Sequence, residues 1–407
     1  MEIKKKILLI VGGGISAYKS LDLVRLLKKN NYEIKTVLTK SGKEFVTPLS
    51  LISLTGGKVY EDIFDKTNEA EIDHISLSRW ADLILVIPTT ANLISKLSYG
   101  KADDLASTLI LASNKDIFLV PAMNVRMWSH AATRNNCETL KGYGYKFVGP
   151  IKGEMACGEY GDGKMSSPKE IFDVIRNYFN NKNILKKNNF SAIVTAGPTR
   201  EYIDPIRYLS NESSGKQGYE VALALSKAGI KTTLILGPTN MQPLNGIKII
   251  NVKSAEDMFL AVKKHLPVDI VVCSAAVADF KPKKFFNKKL KKGENFKSLN
   301  LTKTYDILEF LGKNNKHRPK IVIGFSAETD NLIQNSIKKL REKNSDFIVA
   351  NDISQKGVGF NVDYNEVSII DQKGNVEKIK KSKKSFIATV IAEKIIKKLL
   401  VDDKNFN

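Results

Sequence analysis

Short apolar runs alternate with amphipathic stretches along most of the chain. Ile7–Val11, Leu83–Pro88 and Asp116–Val120 are apolar at nearly every position, and Ile34–Leu38 is an apolar run interrupted by Lys35 and Thr36. That is the signature of strands covered on both faces. Between them, Ser16–Lys29 and the stretches near Ala91–Leu97 and Leu105–Ala112 place apolar residues at helical spacing. The pattern then stops at Asn180–Asn189, which is polar, rich in lysine and without periodicity, and reads as a linker. It restarts with strands expected at 192–195, 231–236, 268–273, 320–325 and 346–350 and helices between them, Tyr219–Ala228 among these. The lysine-rich segment 281–300 reads as a long mobile loop, Phe386–Leu400 as a closing amphipathic helix, and Val401–Asn407 as a frayed tail. Strand–helix alternation predicts an α/β protein with two doubly wound, Rossmann-like parallel sheets, one in 1–179 and one in 190–407, with 180–189 between them.

Composition narrows this picture only slightly. The chain has 407 residues, enough for two or three domains, and its 43% hydrophobic fraction suits globular folding. No apolar stretch reaches the length of a membrane-spanning helix. The lysines at the start precede an apolar run that is short and ends in glycines. A first strand is expected there rather than an export signal, and with it a cytoplasmic location. The net charge of +21 comes mostly from scattered lysines. Outside 281–292 there is no clustered Lys/Arg with interleaved aromatics, which argues against a nucleic-acid partner, yet the charge favours phosphate-bearing substrates. Three cysteines with no CxxC pair cannot make a disulfide framework and give no support to a zinc site.

Candidate chemistry gathers where the strands end. In a doubly wound sheet, ligands sit outside the carboxyl ends of the strands. Gly12-Gly13-Gly14, Thr39-Lys40-Ser41, Pro88-Thr89-Thr90 and Pro121–Asn124 all fall there. Two such loops side by side would cradle a phosphate, although the glycine triplet alone fits a tight connection equally well. In the second half, Val194–Lys216 runs from a strand through a glycine turn past Arg200 and Arg207. It continues through Ser210-Asn211-Glu212-Ser213-Ser214-Gly215 into a helix. Hydroxyls and small residues ahead of a helix expose N–H groups to an anion, and two arginines can fork its oxygens. A solvated strand–turn–helix is the plain alternative. Cys273–Phe280 is built of small residues that admit a ligand close to the backbone, and Asp279 is a candidate metal or ribose ligand. Lys339 and Lys343, spaced i, i+4, could reach one polyanion. His74 has a side chain suited to proton transfer near neutrality, and the Asn124 amide could hold a carboxylate. Cys157, in the glycine-rich Met155–Met165, is either part of a closing flap or an inert buried thiol.

Taken together, Val194–Lys216, Pro88–Asn92, Gly100–Leu105, Pro121–Trp128 and Met155–Met165 resemble the bifunctional coenzyme A biosynthesis enzymes. These join a phosphopantothenoylcysteine decarboxylase to a phosphopantothenate–cysteine ligase, and the resemblance covers nearly the whole chain. It implies a flavodoxin-like, FMN-dependent decarboxylase domain followed by a CTP-dependent ligase domain. The FMN phosphate would lie on loops that include Gly13, Gly14, Thr39, Ser41, Thr89 and Thr90. His74 would serve base chemistry at the substrate cysteine, Asn124 would hold the carboxylate that leaves, and Cys157 would return a proton. Met127, by its chemistry a packing residue, and Arg207 stand as substrate contacts. Around CTP the resemblance implies the backbone of Ala275, then Asp279, Asp306, Ile307, Phe325, Lys339 and Lys343. Lys289 would act on the transferring phosphoryl group, Asn211 on the activated acyl group, and Mg2+ would bind at Asp279. Two departures stand out. Gly12 replaces the usual Ser or Thr, and Lys303-Thr304-Tyr305-Asp306 lacks the usual Asn-Pro turn. Homo-oligomers are also implied, with trimeric decarboxylase contacts and dimeric ligase contacts, and no nucleic-acid or membrane partner.

The chemistry so implied begins with CTP-driven amide formation between phosphopantothenate and cysteine. A redox-neutral decarboxylation to 4′-phosphopantetheine follows, in which the flavin borrows a hydride and returns it. A generic NAD-dependent dehydrogenase lacks the full glycine fingerprint and leaves the Met155–Met165 segment without a role. A basic nucleic-acid-binding or flavin-binding regulatory module would show no turnover.

Overall fold

In the first half, strands form where apolar residues face outward on both sides of the chain. They are β1 (Lys6–Val11), β2 (Glu33–Leu38), β3 (Val59–Tyr60), β4 (Leu83–Thr89), β5 (Asp116–Pro121) and β6 (Lys146–Phe147). The computed structural model describes residues 4–63, 73–156, 158–242, 246–291, 298–313, 316–352 and 362–404. These six strands pair in parallel in the order 3-2-1-4-5-6. Every residue of β4 is buried, and alternate side chains enter different cores. Leu9 and Leu85 pack on one face, Leu8, Ile10, Ile84 and Val86 on the other. The strand order is the Rossmann one. It differs from the 2-1-3-4-5 order that the flavodoxin-like expectation for this half would carry.

An antiparallel hairpin, β7 (Ile151–Glu154) and β8 (Tyr160–Lys164), brackets the glycine-rich segment. The second half contains β9 (Ser191–Ala196), the ribbon β10 (Glu201–Tyr202) with β11 (Tyr208–Leu209), β12 (Lys231–Leu236), β13 (Lys248–Asn251) and β14 (Ile270–Cys273). It continues with the ribbon β15 (Phe280–Pro282) and β16 (Leu301–Lys303), then β17 (Ile321–Glu328), β18 (Phe347–Asp352), β19 (Tyr364–Asp371) and β20 (Val376–Lys383). The main sheet runs 13-12-9-14-17-18-19-20. It is parallel up to β18, and β19 and β20 join antiparallel. The two faces again have separate cores, Val194, Val272 and Ile323 on one side, Ile193, Val271 and Val322 on the other.

The chain divides into two compact units, Met1–Asn180 and Asn181–Asn407. Three expectations change. The stretch 180–189, expected as an aperiodic linker, adjoins the boundary between the units but is helical over most of its length, because the helix Pro168–Asn188 runs through it and Leu185 is buried. The closing helix is longer than its apolar pattern suggested, Lys384–Lys404. Segment 281–300 is anchored at both ends by the β15–β16 ribbon, and residues 292–297 lie outside the described part.

Candidate functional sites

In the first unit, β1 and β4 are neighbours from which the chain departs in opposite directions, and a cavity of about 710 Å3 opens at their carboxyl ends. Gly12, Gly13, Thr39, Ser41 and Thr90 line it, with Asn92, Lys96 and Asp104 farther round. The glycines are there for steric reasons. A Cβ on Gly12 would lie 2.3 Å from the Pro88 carbonyl oxygen, and one on Gly13 2.4 Å from Ser41 Cβ. The absence of a hydroxyl side chain at position 12 is thus matched by the close approach of the Pro88 backbone. Thr39 ties the loops together, its hydroxyl donating to Val11 O at 3.0 Å and accepting from Gly42 N at 3.1 Å. Thr90 caps the helix Ala91–Ser98 through Leu93 N. Ser41 is exposed and its hydroxyl has no partner among the described residues.

Thr89 is different. It is fully buried, and its hydroxyl is used between Val86 O at 2.9 Å and Val120 N at 3.0 Å. It braces β4 against β5 and is absent from the cavity wall, as is Gly14. His74 lies near the start of the helix Asp73–Trp80, with Nδ1 buried and unpartnered, and is not part of this wall. Asn124 caps the short helix Val125–Ser129, its Oδ1 accepting from Met127 N at 2.8 Å. This fixes the amide plane and leaves Nδ2 without a partner among the described residues. Strand β8 closes on the same loop. Met123 N donates to Gly163 O at 3.1 Å, and a Cβ on Gly163 would lie 2.4 Å from Met123 O. The base of the hairpin is therefore held against the Met123–Asn124 loop, while Cys157 lies outside the described residues. Met127 is 46% exposed, too open for a core residue.

The second unit repeats the plan. A cavity of about 430 Å3 opens at the carboxyl ends of β14, β17 and β18, beside the start of the helix Lys216–Lys227. Asn211, Ala275, Asp279, Phe325 and Lys339 all line it. Asn211 is held by its Nδ2 donating to Val277 O at 3.0 Å. Lys339 reaches Phe325 O at 3.0 Å. A Cβ on Gly218 would lie 2.2 Å from Ser274 Oγ and 2.6 Å from Ala196 Cβ, so the helix Lys216–Lys227 can approach the sheet only with glycine there. Asn351 Oδ1 and Gln217 Oε1, both on the wall, are buried and unpartnered, two acceptors facing a site that could supply donors.

Other expected residues do not converge. Lys343 is absorbed by ion pairs with Asp306 at 2.9 Å and Glu309 at 2.8 Å, and only Lys339 of the i, i+4 pair lines the cavity. Asp306 caps the helix Ile307–Lys313 through Glu309 N at 2.8 Å, and Ile307 is buried in the core. Arg200 lies over the Tyr208 ring at 4.7 Å. Arg207 donates from Nη2 to Leu290 O at 2.7 Å and pairs with Asp204 at 3.7 Å, so the two arginines do not fork one anion. Asp204 in turn accepts from Ile206, Arg207 and Leu290 N–H groups, which hold its carboxyl below the usual carboxylate range against the effect of desolvation. Lys289, exposed and beside Leu290, is thereby tethered through its neighbour, though it does not line the cavity. Among the described residues no group of three His, Cys, Asp or Glu side chains could hold a metal, so Asp279 belongs to no such cluster. Sequence reasoning missed Lys216, Gln217, Asn365 and Lys384 on the second wall. Lys384 sits in a lysine run in which nothing distinguishes it.

Among the described residues no helix is long and apolar enough to cross a membrane. A family model described as "Flavoprotein" matches residues 1–180, and one described as "DNA/pantothenate metabolism flavoprotein C-terminal domain" matches residues 188–399. The chain is similar to the coenzyme A biosynthesis bifunctional protein CoaBC of Haemophilus influenzae, 41% identical over 390 residues, 96% of each chain. It is 41% identical to the Bacillus subtilis protein of that name over 373 residues, 91% of each chain. To the Escherichia coli one it is 38% identical over 406 residues, 98% of each. Among solved structures, the C-terminal domain of a CoaBC protein aligns with a TM-score of 0.44 and 37% identity, covering 53% of this chain and 96% of that one.

Proposed function

The chain belongs to the family of bifunctional coenzyme A biosynthesis proteins, enzymes that unite a decarboxylase with a ligase, and from that premise we propose how its two cavities divide the work. The second unit condenses phosphopantothenate with cysteine at the expense of CTP, and the first decarboxylates the product to 4′-phosphopantetheine with FMN. The observation that carries this reading is the repeated geometry: each unit opens a cavity at the carboxyl ends of parallel strands, lined by loop residues of the kind that hold a phosphate.

The first cavity fits a flavin. Gly12 and Gly13 let the backbone approach where any Cβ would obstruct it, and Ser41 offers a free hydroxyl beside them. Gly13, Ser41, Thr39 and Thr90 would hold the phosphate. Bound there, FMN supplies reversible two-electron chemistry at the substrate's cysteine carbon. The chain's own groups do the rest. Asn124 presents its NH2 to the carboxylate, oriented by the cap that its Oδ1 makes. His74 takes a proton at the cysteine end, and Cys157 returns one. Met127 contacts the substrate.

In the second cavity, the carboxylate of phosphopantothenate attacks the α-phosphorus of CTP and pyrophosphate leaves. The cysteine amine then displaces CMP at the acyl carbon and gives up a proton. Asn211 and the Ala275 backbone hold the acyl group, and Phe325 and Lys339 hold the nucleotide. Lys289 is brought in by its tethered segment. Asp279 would help to hold Mg2+, which would neutralise the charge of the triphosphate. Homo-oligomeric assembly in the cytoplasm completes the reading. Ile15, Leu49, Tyr99 and Tyr160 of the first unit are 61%, 71%, 82% and 70% exposed, side chains that an assembly would cover.

Two measurements test the division. Purified protein should carry FMN, identified by its absorbance and by release on denaturation. Pyrophosphate release should require phosphopantothenate, Mg2+ and CTP together. Turnover with ATP at the CTP rate would reject the nucleotide assignment, and failure to bind FMN would reject the first cavity.

A further inference from the structure

The wall of the second cavity contains a cation that the reading above does not use. Lys384 is only 6% exposed and begins the helix Lys384–Lys404. Its backbone is engaged, N–H to Asp363 O at 2.9 Å and C=O from Gln217 Nε2 at 3.3 Å. Its ammonium makes no hydrogen bond or ion pair among the described residues. The carboxylate of Asp363 is already paired with Lys216 at 2.6 Å. A buried cation without a counter-charge is costly, and burial together with the Lys216 charge, partly opposed by Asp363, lowers the Lys384 amine to about 8. Ser213, Ser214 and Gly215, also on the wall, lead into the helix Lys216–Lys227, whose cap residue Gly215 offers no side-chain bond to the first turn. Two helix N-termini, Lys216 and Lys384 thus surround one cavity, where an anion would supply the missing charge.

We propose that Lys384 is a phosphate-binding residue of this cavity, its ammonium and the start of the helix Lys216–Lys227 together holding one phosphoryl group of the ligand. The group belongs either to the nucleotide's polyphosphate or to the terminal phosphate of the acyl substrate. The proposal rests on the ligase reading of the second unit only for the choice between these sources.

The test uses the full chain and its Lys384→Met and Lys384→Arg variants. Inorganic tripolyphosphate and inorganic phosphate serve as probes in calorimetry, and KM is measured for each substrate. The expected result is at least tenfold weaker tripolyphosphate binding in Lys384→Met and substantial recovery in Lys384→Arg. A matching rise in KM for CTP alone identifies the polyphosphate. A rise for phosphopantothenate alone, with inorganic phosphate binding lost, identifies the terminal phosphate. Probe affinities and both KM values within twofold of the native chain would overturn the proposal. Should the variants misfold, pyridoxal phosphate with borohydride on the native protein replaces them: labelling of Lys384 blocked by tripolyphosphate supports the site, and labelling indifferent to it overturns the site. Tripolyphosphate binding that depends on Lys384 in a protein without ligase turnover would reject the ligase reading and leave the anion site standing.

Discussion

A single methyl group at Gly13 tests the flavin cavity. In Gly13→Ala the new Cβ would lie 2.4 Å from Ser41 Cβ, 2.7 Å from Ser41 O and 2.8 Å from Ser41 C. Carbon–carbon contacts settle near 3.5–4.0 Å, so the Thr39–Ser41 loop must retreat by roughly 1 Å. It cannot retreat freely. The Thr39 hydroxyl holds Val11 O at 3.0 Å, and an ideal Cβ on Gly42 would come within 2.6 Å of the same oxygen. Overfilling a packed site of this kind costs about 1–3 kcal/mol. If the free loop relaxes and the FMN-bound loop cannot, affinity falls by about 5- to 150-fold. Titrating FMN fluorescence with apoprotein measures this directly, and circular dichroism with ligase turnover verifies that the chain and its second unit are intact. FMN affinity equal to that of the native chain, in a folded variant, would refute the reasoning that these two loops form the phosphate floor.

Other consequences can be read by comparing the two activities. Asp204→Ala removes the acceptor for three N–H groups and releases Leu290, and with it Lys289. Ligase turnover should drop at least tenfold while decarboxylation of supplied phosphopantothenoylcysteine is unchanged, as separate assays of each step would show. Lys339→Met should raise KM for CTP about tenfold, whereas Lys343→Met should leave it within threefold. The charge of Lys343 is spent on Asp306 and Glu309, so its loss should appear in denaturant midpoints instead. For pH, Lys384 is near 8 in the folded chain against 10.5 ordinarily. Between those values the unfolded chain binds more protons, so this residue's contribution makes stability rise with pH across that window. Between pH 8 and pH 10, urea unfolding of the native chain should gain stability relative to that of Lys384→Met, and equal pH responses would reject a perturbed amine there.

What the sequence disclosed follows from what each residue had to satisfy locally. The central strands were legible because burial on both faces demands unbroken apolar runs, as in Leu83–Thr89. Strand β20 was not. Its only buried position is Ile379, and its lysines belong to an exposed edge, where charge discourages pairing with other chains. The polar 180–189 stretch became helix because a continuing helix needs few apolar contacts of its own, here Leu185. Loops at strand ends were found in both units, since fold topology alone sends ligands there. Individual roles within them were less legible. Thr89 and Thr90 are adjacent, yet one faces the core and the other the cavity. Lys339 and Lys343 share a helix face, yet two carboxylates from another helix take only the second. Arg207 pairs with backbone more than eighty positions later, a partner that no local pattern announces.

The most direct test of the central claim supplies the purified protein with phosphopantothenate, cysteine, CTP, Mg2+ and FMN and identifies the products. Formation of 4′-phosphopantetheine, with one pyrophosphate, one CMP and one carbon dioxide per turnover, is the predicted result. Accumulation of phosphopantothenoylcysteine without decarboxylation would contradict the assignment of the first cavity. No pyrophosphate release from a folded, FMN-loaded protein would contradict that of the second.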